Sequence, residues 1–187
     1  MTWMASVVIV SLLVGLLRGG KLGNLGDLHL AGWWMLFLAL GMQIGAAAAP
    51  DDGTSLPVVL VLASFIPLLA VVWLNKDQQG LWLAGIGILM NLTVIGLNEG
   101  MPVLAQAVGL SGGSFDPELL DAKHVVLDES TTLAFLADVI PFPGSVISLG
   151  DVFLAVGLGV FIENNLTRPP RLFRHGAAGK PGSAVEG

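Results

Sequence analysis

Two aspartates and a histidine, Asp138, Asp151 and His124, have the side-chain types for chemistry on a ligand, with Asn98 and Glu99 as candidate binding partners. Two carboxylates held near each other do not both ionise readily, so one is pushed to donate a proton while the other accepts one. Asp138 and Asp151 are therefore the candidate catalytic pair. Joined by His124 and Glu99, the set offers ligands for a hard divalent cation, or the steps of a proton relay. No other cofactor is expected. The chain has no cysteine, which excludes a thiolate metal site and a Cys nucleophile. No phosphate-binding loop, HExxH, GxSxG or dinucleotide fingerprint stands in a suitable context. Plainer accounts exist beside these: His124 as a packing residue, and the acidic stretch around it as a solvated loop.

The elements that must position these residues belong to a membrane protein. Apolar residues make up 54% of the 187, charged residues 12%, and the mean hydropathy is +0.81. A soluble domain carries roughly 25% charged residues, and here the charges are bunched between long uncharged runs. Crossing the hydrocarbon core takes about 20 mainly apolar residues. Runs of that kind occupy about 1–17, 30–49, 56–74 and 80–97, and a fifth, interrupted by Asp151, gives a span at about 145–163. The first lacks the basic residue that would precede a cleaved signal peptide; Arg18 and Lys21 follow it instead.

Lys and Arg gather in cytoplasmic loops. Arg18 and Lys21 follow the first run, Lys76 the third, and Arg168, Arg171, Arg174 and Lys180 the fifth, whereas 98–138 holds Lys123 among seven acids. This alternation predicts five spans, with the N-terminus outside and the C-terminus in the cytoplasm. The five Trp lie near span ends, where indoles anchor at the headgroup level. Gly15/Gly19 and Gly41/Gly45, at spacing four, suit close helix packing. Asn91 and Asn98 share a face of the fourth run, and an amide in a span turns inward to find a partner. The net charge of −6, with no Lys/Arg cluster, argues against nucleic acid.

The segment 98–138 is long enough to lie over the helix ends as a lid. Gly100 reads as the C-cap of the fourth span, with Pro102 preventing its continuation. Asp116-Pro117-Glu118 reads as a helix start, with the helix running to about Leu127 and His124 facing Asp121 and Asp128. Residues 132–140 are too few to cross, so a half-helix or interfacial helix is expected to turn at Pro141–Gly144 into the fifth span. Asp151 has two readings. Either Ser148-x-x-Asp151 is a capping box that starts the helix, or the helix starts near Ser145 and the carboxylate lies about 9 Å inside it. The first leaves only 149–163, roughly 22 Å, for the span. The second is preferred, and intramembrane acids are usually functional.

Asn-Glu-Gly-Met-Pro-Val (98–103), His124, Leu-Ala-Asp-Val-Ile-Pro (136–141) and Ser-Leu-Gly-Asp-Val-Phe (148–153), followed by a Gly-rich span, resemble a bacterial family of small polytopic membrane proteins of unknown function. The resemblance covers about residues 5–165 and implies a bacterial cytoplasmic membrane, but no activity. Gly-Asp-Val-Phe (150–153) and Gly-Asn-Leu-Gly-Asp (23–27) are also similar to the catalytic segments of lipoprotein signal peptidase. The charge count, however, places Asp27 and Asp151 on opposite sides of the membrane.

The expected architecture is thus all-α: a five-helix bundle over 1–166 with an outer lid, and a basic, then disordered, cytoplasmic tail over 167–187. Two functions are carried forward. One is a non-enzymatic accessory or scaffold protein meeting a membrane-protein partner or a second copy of itself. The other is a membrane enzyme or small transporter with an outer-face site of Glu99, His124, Asp138 and Asp151.

Overall fold

The computed structural model describes residues 2–50, 54–116 and 123–168. Five helices match the five apolar runs: α1 (Thr2–Leu17), α2 (Trp34–Ala48), α3 (Leu56–Leu74), α4 (Leu81–Asn98) and α6 (Leu149–Thr167), with a short α5 (Ala105–Leu110) between the last two. Three of them, α3, α4 and α6, are long and apolar enough to cross a membrane, and two more are shorter apolar helices. Their outward faces carry large exposed apolar side chains, among them Phe37 at 65%, Ile66 at 70% and Trp73 at 74%. In water that surface would be an aggregation liability; in lipid it is solvated.

The helices form a curved row in the order α2, α3, α4, α6, α1. Direct neighbours run antiparallel except α6 and α1. The tightest seam joins α4 to α6. A Cβ on Gly80 or Gly87 would collide with backbone of α6, and one on Gly157 or Gly150 would collide with backbone of α4 or its Asn91 side chain. The packing glycines are therefore seven apart, two helical turns, and not the spacing-four pairs expected from the sequence. Gly41 meets nothing within 4 Å, while Gly15 packs under Leu166 of α6.

One end of the row is basic. Arg18 pairs with Glu163 at 2.6 Å. Asn24, in a 3-10 turn (Leu22–Asp27), donates to the carbonyls of Leu166 and Arg168. Asn75 closes the end of α3 onto the start of α2, bonding both the N–H and the carbonyl of Ala31. This turn and Asp151 lie at opposite ends of α6, as the charge count required.

The other end is covered by residues 99–116 and 123–148, where four short strands add to the helices. Strand β1 (Met101–Val103) is buried throughout. It pairs in parallel with β2 (His124–Val126), and Val103 bridges to Asp138 on its other side. Strands β3 (Ile140–Phe142) and β4 (Ser145–Ile147) form a hairpin that leads into α6. The expected half-helix over 132–140 is therefore absent. A 3-10 turn at Ala134–Leu136 and this hairpin replace it, because Pro141, Pro143 and the positive-φ Gly144 favour a turn and Ile140, Phe142, Val146 and Ile147 favour strands. Trp3 packs edge-on against Phe142 of the hairpin, with ring centroids 5.3 Å apart.

Three further expectations are corrected. The helix drawn to Leu127 gives way to β2 at 124–126: His124-Val125-Val126 pairs with β1, and tertiary pairing overrides local propensity. Pro117, Glu118 and Asp121, which were to start and face that helix, lie outside the described residues, as does the tail from 169. The residue that caps α4 in the left-handed region is Glu99, φ +55, and not Gly100. Gly100 is needed for close approach instead, since a Cβ there would press on Val125 of β2. Finally, α6 starts at Leu149 with a complete Ser148–Asp151 capping box, so Asp151 sits in the first turn and not deep in the span. The length objection disappears because the helix runs on to Thr167, about 28 Å at 1.5 Å per residue.

Candidate functional site

A cavity of about 460 Å³ lies among α2, α3, α4, α6 and the covering segment. Its deeper walls are apolar, from Leu36 and Leu40 on α2, Val61, Phe65 and Leu68 on α3, and Ile88 on α4. Its ceiling is polar and holds Lys123, His124, Asp138 and Asp151, with Asn91 and Gln43 on the flanks. Three of the five residues singled out in the sequence thus meet at one site.

Asp138 is fixed by backbone: its N–H donates to Pro102 at 2.9 Å, and its carbonyl accepts from Leu104 N–H at 3.0 Å. Neither bond asks Pro102 for an N–H, so a proline is accommodated in β1. The residue is 7% exposed. Its Oδ2 lies 3.9 Å from His124 Nε2, and its Oδ1 is buried with no hydrogen-bond partner among the described residues. Burial pushes the carboxyl up to about 8, the Asp151 charge adds to the rise, and Lys123 partly offsets it. At neutral pH Asp138 is therefore mostly protonated.

Asp151 is held differently. Its Oδ1 accepts from Asn91 Nδ2 at 2.8 Å, and its Oδ2 accepts from the Ser148 N–H at 3.3 Å. The Ser148 hydroxyl donates to Asn91 Oδ1 at 3.0 Å and accepts from the Asp151 N–H. This knot ties the start of α6 to α4, where Gly150 makes room for the Asn91 amide. Asp138 and Asp151 face one cavity in different settings, the first buried with its pKa raised and the second bonded to Asn91 and Ser148.

Asn98 and Glu99 are elsewhere. Asn98 bonds the Thr132 backbone through both its donor and its acceptor, so it fastens the covering segment to α4. Glu99 is exposed and does not line the cavity. Asp128 does not line the cavity; its carboxyl is lowered by the Ser130 hydroxyl and N–H in a tight turn. No group of three or more His, Asp or Glu among the described residues is placed to hold a metal ion. The sequence reading missed Lys123 and Gln43. An uncharged amide inside the second apolar run was the signal for Gln43, and nothing local marked Lys123.

A family model matches residues 27–163, more than half of the chain. The chain belongs to DUF5317, a family of unknown function. The matched stretch contains every residue of the cavity, from Leu36 to Leu154, and omits α1. No curated protein and no solved structure matches the chain. Membership in DUF5317 therefore carries no activity, and function must be argued from the cavity.

Proposed function

We propose that this DUF5317 member is a five-span protein of the bacterial cytoplasmic membrane whose outer-end cavity binds a ligand and exchanges a proton with it through Asp138 and Asp151. The observation that carries the reading is Asp138: a buried carboxyl that lines a cavity together with Asp151, one of its oxygens having no hydrogen-bond partner among the described residues. A buried acid without a donor is costly to stability, and perturbed acids in clefts mark functional sites. In this reading Asp138 gives or takes the proton, Asp151 holds the complementary charge, and His124 and Lys123 orient the ligand. A divalent cation would enter as part of that ligand.

The five-span topology is supported by the alternating direction of α1, α2, α3, α4 and α6, and by Arg18, Lys21, Lys76 and Arg168 sharing one end. Helices α1 and α2 are short for a span, a mismatch that local bilayer thinning or the flanking Trp33 and Trp34 can absorb. A reporter enzyme fused after residue 174 should be active only on the cytoplasmic side; activity on the far side would overturn the topology.

The site reading is tested by complementation. Asp138→Asn and Asp151→Asn should each fail to rescue a deletion strain while the protein reaches normal levels. Full rescue by both would sink the site and leave the second reading, an accessory or scaffold protein. That reading is favoured by Gly41, whose open surface on α2 leaves room for a neighbouring helix.

A further inference from the structure

The cavity is graded along the bundle, and its polar end is balanced in charge. Counted from the basic end of α2, Leu36, Ala39 and Leu40 come first and Gln43 follows, two helical turns or about 10 Å beyond Leu36. Lys123, His124, Asp138 and Asp151 close the covered end. Asp151 and Lys123 act on Asp138 with opposite signs, and burial keeps Asp138 itself mostly protonated at neutral pH. An added cation or anion would bring a charge without a counter-charge into a partly desolvated site, which is costly. The ceiling also holds donors, Lys123 and His124, beside its acceptors. A head that fits it is uncharged and both donates and accepts.

Gln43 is the polar group that the fold does not account for. It stands in the upper half of α2, lines the cavity and is exposed. Its Nε2 donates to Ser64 Oγ at 3.2 Å, which leaves Oε1 to the cavity. An amide at this depth of a span costs free energy unless a partner meets it. Such a partner has a way in from the side. Helix α2 packs along α3 and makes no extended contact with α4 or α6. Leu36 and Leu40 line the cavity yet are 38% and 50% exposed, so this wall opens onto lipid. The volume of about 460 Å³ falls within the roughly 300–1,000 Å³ of small-molecule sites. In the topology proposed above, the order from apolar floor to polar ceiling is that of an outer-leaflet lipid, chain inward and head outward.

From these observations we infer that the cavity takes from the outer leaflet a hydrocarbon chain headed by an uncharged hydroxyl. The hydroxyl donates to Gln43 Oε1 beneath the ceiling, and the chain lies against Leu36, Leu40, Ile88 and Leu154. The inference rests on the site proposed above, names its ligand class and leaves a divalent cation no part in it. A hydroxyl also carries the exchangeable proton that the site requires. The shared chemistry is the alcohol, whether of a free long-chain alcohol or of a glycerol-headed acyl lipid. A second copy of the chain laid against α2 is the competing occupant of the gap.

The test is photo-crosslinking of the full chain, in nanodiscs of phosphatidylcholine, with dodecyl probes that share a mid-chain diazirine and differ in their heads. The heads are a hydroxyl, a primary amine, a carboxylate and a plain methyl group. The alcohol should label cavity residues of α2, α4 or α6 saturably, at a concentration at least tenfold below the other probes. Gln43→Leu, an apolar change in an apolar span, should remove that roughly tenfold preference over the methyl-headed probe, the worth of one hydrogen bond in a dry site. Leu40→Trp should weaken every probe by filling the place of the chain, and it keeps the test standing if Gln43→Leu alters the fold. Competition separates the sources: displacement by monodecanoylglycerol at a lower concentration than by decanol identifies the glycerol head, and the reverse a free alcohol. Equal labelling by all heads, a preference for either charged head, or unchanged alcohol labelling of Gln43→Leu would overturn the inference. So would a disulfide between two copies of Gln43→Cys, since the chain has no cysteine of its own and such a link puts a second copy over the gap. If the alcohol does not label and Asp138→Asn still fails complementation, the ligand class is wrong and the site stands. If it labels saturably and Asp138→Asn rescues fully, the lipid site stands and the proton exchange falls.

Discussion

The two ends of the helix row treat their ionisable groups differently, although the basic end also has one buried amide, Asn164 Nδ2, with no hydrogen-bond partner among the described residues. At the basic end, polar side chains are used on backbone that the helix ends leave open: Asn75 on Ala31 and Val71, and Asn24 on Leu166 and Arg168. Arg18 and Arg168 find Glu163 and Gln78. At the covered end, Asp138 is buried with one oxygen unpartnered among the described residues, and Glu99 and Leu133 hold the left-handed conformation that non-glycine residues avoid. Local costs that persist only because the surroundings impose them gather where a protein works. The difference teaches that the basic end is built to hold the bundle together, while the covered end carries local costs around the cavity that Asp138 lines.

The sharpest way to break this comparison is Asp138→Asn, which should stabilise the protein. The folded carboxyl titrates at about 8, above its ordinary 3.8, so between those values the unfolded chain has lost a proton that the folded one keeps. Wild-type stability therefore falls as pH rises from about 4 to 8, then levels off, and the amide escapes that fall. At 1.36 kcal/mol per unit, the variant should gain on the order of 6 kcal/mol over wild type at pH 9 and little at pH 4, read from thermal unfolding in detergent. A pH-independent difference would remove Asp138 from the costly group. Asn75→Leu should do the reverse at the basic end. It removes two bonds to the exposed Ala31 and one buried bond to Val71, at about 1 kcal/mol for each, and should lower stability by about 3 kcal/mol at any pH. A neutral result would show that the basic end is not where the bundle is secured.

Asp151 lies between these extremes, and Asp151→Ala refines the comparison within the cavity itself. Removing this carboxylate deletes the capping box and the partner of Asn91, so stability should fall by about 1–2 kcal/mol. Two aspartates on one cavity would then have opposite signs, measured in the same unfolding experiment; a gain from Asp151→Ala would erase the distinction.

How much of this was legible in the sequence follows from the same contrast. The five helices were visible because lipid imposes an apolar length on each, and Asp138, Asp151 and His124 stood out as polar groups beside such runs. The seam glycines were not, because Gly80, Gly87, Gly150 and Gly157 matter through which helix lies opposite, and that is settled only by the fold. The small sheet was hidden for a similar reason: Met101–Val103 and His124–Val126 are three residues each, and β1 is a strand only because β2 and Asp138 flank it. Asp151 was misplaced because the length argument ended the last helix at 163, one turn short of Thr167.

The smallest predicted effect, Glu99→Gly, tests whether the covered end's costs all serve the cavity. Glu99 caps α4 at φ +55 with its charge against the negative pole of the helix, and it is exposed and away from the cavity. Glycine removes the left-handed penalty and the charge together, offset in part by the freedom it adds to the unfolded chain, for a net gain of about 1 kcal/mol. Glu99→Gln removes the charge alone and should gain a few tenths of that. If both variants are stabilised and still rescue the deletion strain, Glu99 is a local imperfection and the working part of the covered end narrows to the cavity. If Glu99→Gly is stable but inactive while Glu99→Gln is active, the charge is dispensable. What matters then is how rigidly Glu99 directs the chain out of α4 into β1, the strand that holds Asp138.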